Sequence, residues 1–100
     1  MNNGTQLITK KKILRLAVKG IYFHQIKAKE KKEEYRLYNE YWIKRLEGKA
    51  FDEIHITLGY PRSGDIERTL IRPWRGFRKK VISHKHFGIQ KVQVFAIIVN

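Results

Sequence analysis

From Val94 to Val99 the chain runs through six apolar residues without a break, and no other stretch is as long. Six residues make a strand, and a strand that is apolar on both faces has no face to offer water. It must lie centrally in a sheet, or sit in a barrel with a helix covering its outside. That demand organises the rest of the chain, because the other apolar segments are half-polar and can cover it. Leu14, Leu16 and Val18 alternate with polar or small neighbours, and Ile54, Ile56 and Leu58 alternate with His55 and Thr57. Both patterns predict half-buried strands. Arg68 to Arg72, halted by Pro73, and Arg78 to Ser83, after the Trp74-Arg75-Gly76-Phe77 corner, read as two more.

Helices fall between these strands. After Gly20, the segment Ile21 to Ala28 sets Tyr22 and Ile26 on one helical face and ends in lysines, which suit a helix C-terminus. Tyr35, Tyr38, Trp42 and Leu46 recur at helical spacing, so periodicity alone also allows one long helix from Ile21 to Glu47. Asn39 as an N-cap and Gly48 as a terminator favour a separate helix from Glu40 to Glu47, leaving Glu33 to Tyr38 as a strand. Residues 1–9 read as a disordered lead-in and 10–100 as one domain, since 100 residues fill a single core. The expectation is a mixed α+β domain of five to six short strands and two short helices, closed as a β-barrel.

Charge separates the function classes. Twenty-two Lys and Arg against nine Asp and Glu leave a formal net charge of +13, and the cations are unevenly spread. Lys10 to Lys32 and Arg68 to Lys85 are strongly basic, whereas most of the acids lie between Glu30 and Glu53. Two basic segments flanking a mixed one predict a positive face, the footprint of a nucleic-acid binder. No lysine-rich segment carries the large apolar face of a membrane-surface helix, and no run approaches a membrane span, so no membrane partner is expected. The polar start of the chain lacks the apolar core of a signal peptide, which together with the absence of cysteine favours the cytoplasm.

Chemistry concentrates in Lys31, Glu34 and Arg36. On a strand, Glu34 and Arg36 share one face while Glu33 and Tyr35 share the other, with Lys31 at the strand's entrance. A carboxylate between two cations fixes the orientation of Arg36 toward a phosphate or a base edge, and Lys31 suits phosphate binding or proton transfer. The same three residues would also serve as a solvated ion-pair set. The run Lys29-Glu30-Lys31-Lys32-Glu33-Glu34-Tyr35-Arg36 resembles the signature of the ASCH domain, a module of the PUA-like superfamily with the pattern Gly-x-Lys-x-x-Glu-x-Arg. Three of its four positions match, and Lys29 stands where the family has glycine, so a residue with a side chain must make the tight turn there. Ile56-Thr57-Leu58-Gly59-Tyr60-Pro61, Trp74-Arg75-Gly76 and His84-Lys85-His86-Phe87-Gly88 are similar to segments of a bacterial and phage subgroup.

The resemblance implies a PUA-like β-barrel, a cleft lined by Lys31, Glu34 and Arg36, and a role with RNA or modified nucleosides. One subgroup of the family hydrolyses N4-acetylcytidine with a lysine, a threonine and a glutamate, and other members cut single-stranded RNA. Lys31 matches that lysine, but Glu34 stands where the threonine would be. The enzyme alternative is therefore an amidohydrolase or a ribonuclease with Lys31 and Glu34 as the catalytic pair. A basic protein-interaction module is the third reading.

Outside the signature, Tyr60, Trp74 and Phe77 are interleaved with Arg72, Arg75 and Arg78, a mixture suited to stacking unpaired bases while cations hold phosphates, and equally to packing a corner. With Lys31, Lys32 and Arg36 they form the expected single-stranded RNA surface. His84 and His86, two residues apart, would share a strand face as a metal pair or as an acid–base pair for RNA cleavage, and they join the expected RNA contacts. Two histidines without cysteine are too few for zinc, and the nucleotide-binding glycine loops are missing, so neither metal nor cofactor is expected.

Overall fold

The computed structural model describes residues 10–83 and 90–100. Along the chain run β1 (Ile13–Val18), α1 (Gly20–Lys27), β2 (Glu33–Leu37), α2 (Glu40–Leu46), β3 (Glu53–Leu58), a 3-10 turn (Ile66–Arg68), β4 (Thr69–Pro73), β5 (Phe77–Ile82) and β6 (Val92–Ile98). The strands form two three-stranded sheets, ordered β1-β3-β4 and β2-β6-β5. The apolar strand β6 is central in the second, as its sequence requires. Its register places Ile97 opposite Glu34 and Phe77, and Phe95 opposite Arg36 and Lys79.

β1 pairs in parallel with β3, whereas β3–β4, β2–β6 and β5–β6 are antiparallel. A parallel pair needs a long crossover. Here the crossover is α1-β2-α2, which deposits β2 in the other sheet on its way and so brings the charged segment against β1. The described ladders are two open sheets. The α+β class, the six strands and the two helices match the sequence expectation, while no backbone ladder among the described residues joins the sheets into a closed cylinder.

One apolar cluster lies between the sheets: Leu14 and Leu16 of β1, Ile54 and Ile56 of β3, Phe95 and Ile97 of β6, Phe23 and Ile26 of α1, and Leu46 of α2 are all essentially inaccessible. Truncating any one of these aliphatic residues to alanine should cost about 2–5 kcal/mol. Trp42 and Tyr38 pack at its margin, which is why the aromatic spacing around α2 looked helical across a strand break. Asn39 makes that break. Its Oδ1 accepts the backbone N–H of Trp42 at 3.0 Å and starts α2 afresh. No helix among the described residues is long and apolar enough to cross a membrane.

Candidate functional site

α1 ends one residue before a left-handed turn. Lys29 has φ +64°, and its N–H donates to the carbonyl of Ile26 at 3.0 Å. Among the described residues it is the one non-glycine with positive φ, at the position the sequence motif assigns to glycine. The turn points the chain into β2 and sets Lys31 over Glu34.

Glu34 is buried, with 6% of its surface exposed, and is the one buried charged residue among those described. It lies on the inward face of β2 because its register partner Ile97 does. Its Oε2 accepts from Arg36 Nη1 at 2.7 Å. Lys31 Nζ stands 3.5 Å from Oε1, an ion-pair distance longer than the 2.7–2.9 Å typical of a charge-assisted bond, and Oε1 has no hydrogen-bond partner among the described residues. The Lys31 ammonium also lies 5.0 Å from the ring centres of both Tyr22 and Tyr35, within cation–π range. Arg36 donates further to the carbonyls of Tyr35, at 2.7 Å, and Ala17, at 2.6 Å, and stacks 5.5 Å from Trp42. Lys31, Glu34 and Arg36 therefore meet, and Arg36 is largely committed to holding the site together.

A cavity of about 400 Å³ opens beside this cluster, lined by Ala17, Val18, Lys19, Tyr22, Tyr35, Arg36, Gly59 and Tyr60. β2 is an edge strand, so Tyr35 and Arg36, from opposite faces of it, can line one space. Lys31 and Glu34 do not line the cavity. A second cavity of about 520 Å³ shares Ala17 and Tyr60 with the first and extends under the 59–66 loop to His55. Tyr60, 95% exposed, stands at their junction. His55 Nε2 lies 3.0 Å from Glu53 Oε1, and Lys11 Nζ is 2.9 Å from Glu53 Oε2. Hydrogen bonds from Lys11 and then His55 hold the Glu53 carboxyl below the usual glutamate range.

The other expected contact residues divide. Lys32, Arg72 and Arg75 gather with Lys29 around a third cavity. Arg78 is taken up by Glu33, whose Oε2 it meets at 2.7 Å, while Lys80 meets Oε1 at 2.6 Å. Burial pushes the Glu33 carboxyl up, but the hydrogen bonds from Lys80 and Arg78 outweigh it and hold the group below its ordinary value. Trp74 packs edge-on against Phe51 at 5.1 Å, and Phe77 against Phe95 at 4.9 Å, so both serve the core margin and leave Tyr60 as the free aromatic of that set. His84 and His86 lie outside the described residues.

Three participants escaped the sequence reading. In the sequence Tyr22 reads only as part of a helical face. The carbonyl of Ala17 carries no sequence signal. Neither does Asn100, whose Nδ2 donates to the carbonyls of Ile26 at 2.8 Å and Lys31 at 2.7 Å, tying the end of α1 to the entrance of β2. Comparison with known proteins finds no matching family model, no matching curated protein and no matching solved structure.

Proposed function

We propose that the protein is an ASCH-type domain of the cytoplasm that binds single-stranded RNA or a modified nucleoside in the cleft beside Lys31, Glu34 and Arg36. On this reading the two sheets are the halves of a PUA-like barrel. The observation that carries it is Arg36, fixed by the buried Glu34 carboxylate and lining one cavity with Tyr22, Tyr35 and Tyr60. Glu34 itself does not line the cavity, so its part is to hold the Arg36 guanidinium, which does line it, in one orientation toward a phosphate or a base edge. The exposed ring of Tyr60 supplies a stacking surface, and the net charge of +13 supplies attraction for the phosphates. The left-handed Lys29 supports the family reading, because the signature's glycine position adopts a glycine conformation here.

The test is fluorescence anisotropy with labelled single-stranded RNA across a salt series, run beside chromatography of N4-acetylcytidine incubated with wild type and Lys31→Ala. Affinity falling steeply with salt, with the nucleoside unchanged, is the expected result. Absence of binding at low salt would sink the RNA reading. Product that disappears in Lys31→Ala would make the cluster catalytic instead.

A further inference from the structure

Lys29, Lys32, Arg72 and Arg75 converge on a cavity of about 270 Å³ whose remaining walls are Pro73, Val99 and Asn100. The four come from two separate parts of the chain, the α1–β2 turn and the end of β4. Among the described residues none of them makes an ion pair, although six of the nine side-chain acids are paired elsewhere: Glu33, Glu34, Glu40, Glu47, Glu53 and Asp65. Four cations around one cavity that are not neutralised by side-chain ion pairs repel one another, and an anion bound among them would relieve that repulsion.

The pocket is also built. Asn100 is held by its two bonds to the carbonyls of Ile26 and Lys31, which turns its Oδ1 toward Arg72 Nε, 3.4 Å away. Arg72 Nη1 donates to the carbonyl of Ile71 at 3.2 Å. With two donors engaged, the guanidinium is oriented and its remaining N–H groups stay available. Lys29 contributes the second sign of construction. Its left-handed backbone favours glycine, and strained non-glycine positions persist where the side chain serves the site. A glycine would make the turn with less strain and would remove a cation from the pocket.

We propose that this cavity binds a phosphate group, with Arg72 as the oriented fork and Lys29, Lys32 and Arg75 as the surrounding charge. Its source is the backbone or terminal phosphate of the RNA bound under the reading above, and in that respect the inference rests on that reading. The pocket adds a phosphate anchor separate from the Tyr22–Tyr35–Tyr60 cavity, with which it shares no lining residue.

The experiment is an amide-resolved NMR titration of the full chain with inorganic phosphate, with chloride at matched ionic strength, and with a short oligoribonucleotide carrying either a 5′-phosphate or a 5′-hydroxyl. Phosphate is expected to shift Lys29, Lys32, Arg72, Arg75 and Asn100 saturably, and chloride is not. Lys29→Gly should hold or raise the melting temperature while weakening phosphate binding about threefold or more, two changes that a purely structural lysine would not combine. Arg75→Gln, at an exposed position, should weaken it similarly without touching the turn. Equal shifts from chloride, or unchanged phosphate affinity in both variants, would overturn the proposal. RNA binding that leaves these residues unshifted would overturn the pocket alone. Phosphate in the pocket with neither oligonucleotide bound would support the pocket and overturn the RNA reading.

Discussion

Arg36 donates from Nη2 to the carbonyl oxygen of Ala17 at 2.6 Å, joining the edge of one sheet to the edge of the other. β1 and β2 share no ladder, so this guanidinium does at one point what a row of backbone bonds would do in a closed barrel. It also grips Glu34 and the carbonyl of Tyr35. Lysine at this position keeps the charge but loses the planar fork, so it can serve one of the three acceptors well and not all of them. Arg36→Lys should therefore cost about 1–3 kcal/mol, read as a lowered midpoint in urea unfolding with an unchanged slope. A midpoint equal to wild type would mean that the seam is held by core packing alone.

Tyr60 makes the opposite kind of contribution. It is 95% exposed and lies outside the core cluster, so its ring contributes little to stability. Tyr60→Ala should leave the melting temperature close to wild type and weaken single-stranded RNA binding by about 1–3 kcal/mol, the range of one base-stacking contact. Anisotropy titration at fixed salt checks it. An unchanged Kd would remove Tyr60 from the interface and leave the cleft without its free aromatic.

What was legible in the sequence follows from the range of the interactions involved. Period-two alternation marked β1 and β3, and the two-faced apolar run marked β6 as central, because those patterns are set by which side of a strand meets the core. The placement of Lys31, Glu34 and Arg36 was legible for the same reason, three and two residues being spacings that a turn and a strand bring together. Pairing between distant segments was not. Asn100 lies next to Ile26 and Lys31 because β6 ends beside the α1–β2 turn, and nothing local to Asn100 announces that. The Arg78–Glu33 clamp likewise spans the width of β6. It removes from the expected RNA surface a cation that composition alone would count as free.

Asn39 tests the local part of that account. Helical spacing of Tyr35, Tyr38, Trp42 and Leu46 would tolerate a continuous helix, and the Asn39 side chain is what terminates the strand and begins α2. Asn39→Ala should cost about 1 kcal/mol through loss of the bond to the Trp42 N–H. Asn39→Asp should recover most of it, since Asp caps as well and the first helical turn favours a negative charge. Thermal unfolding measures both variants, and Asn39→Gln, polar but a poor cap, should stay near the alanine variant if the cap is what matters.

The Glu33 clamp should set part of the acid sensitivity. Lys80 and Arg78 hold its carboxyl below the ordinary value in the folded protein despite burial, which works against them. A carboxyl lowered on folding adds stability that is fully present above its unfolded value, about 4.3, and is lost as pH falls through the folded one. Glu53 carries the same sign through Lys11 and His55, so removing Glu33 alone removes only a share. Below that range the protein gains further positive charge on top of +13, and repulsion between Arg78 and Lys80, which share the Glu33 carboxylate, is no longer offset. The difference in unfolding free energy between wild type and Glu33→Gln should accordingly be flat above about pH 5 and shrink on acidification below about pH 4. Urea unfolding of both proteins at intervals across that window measures it. A difference that stays constant down to the acid end would show that the clamp stabilises through packing of the side chains and not through the ionised carboxylate.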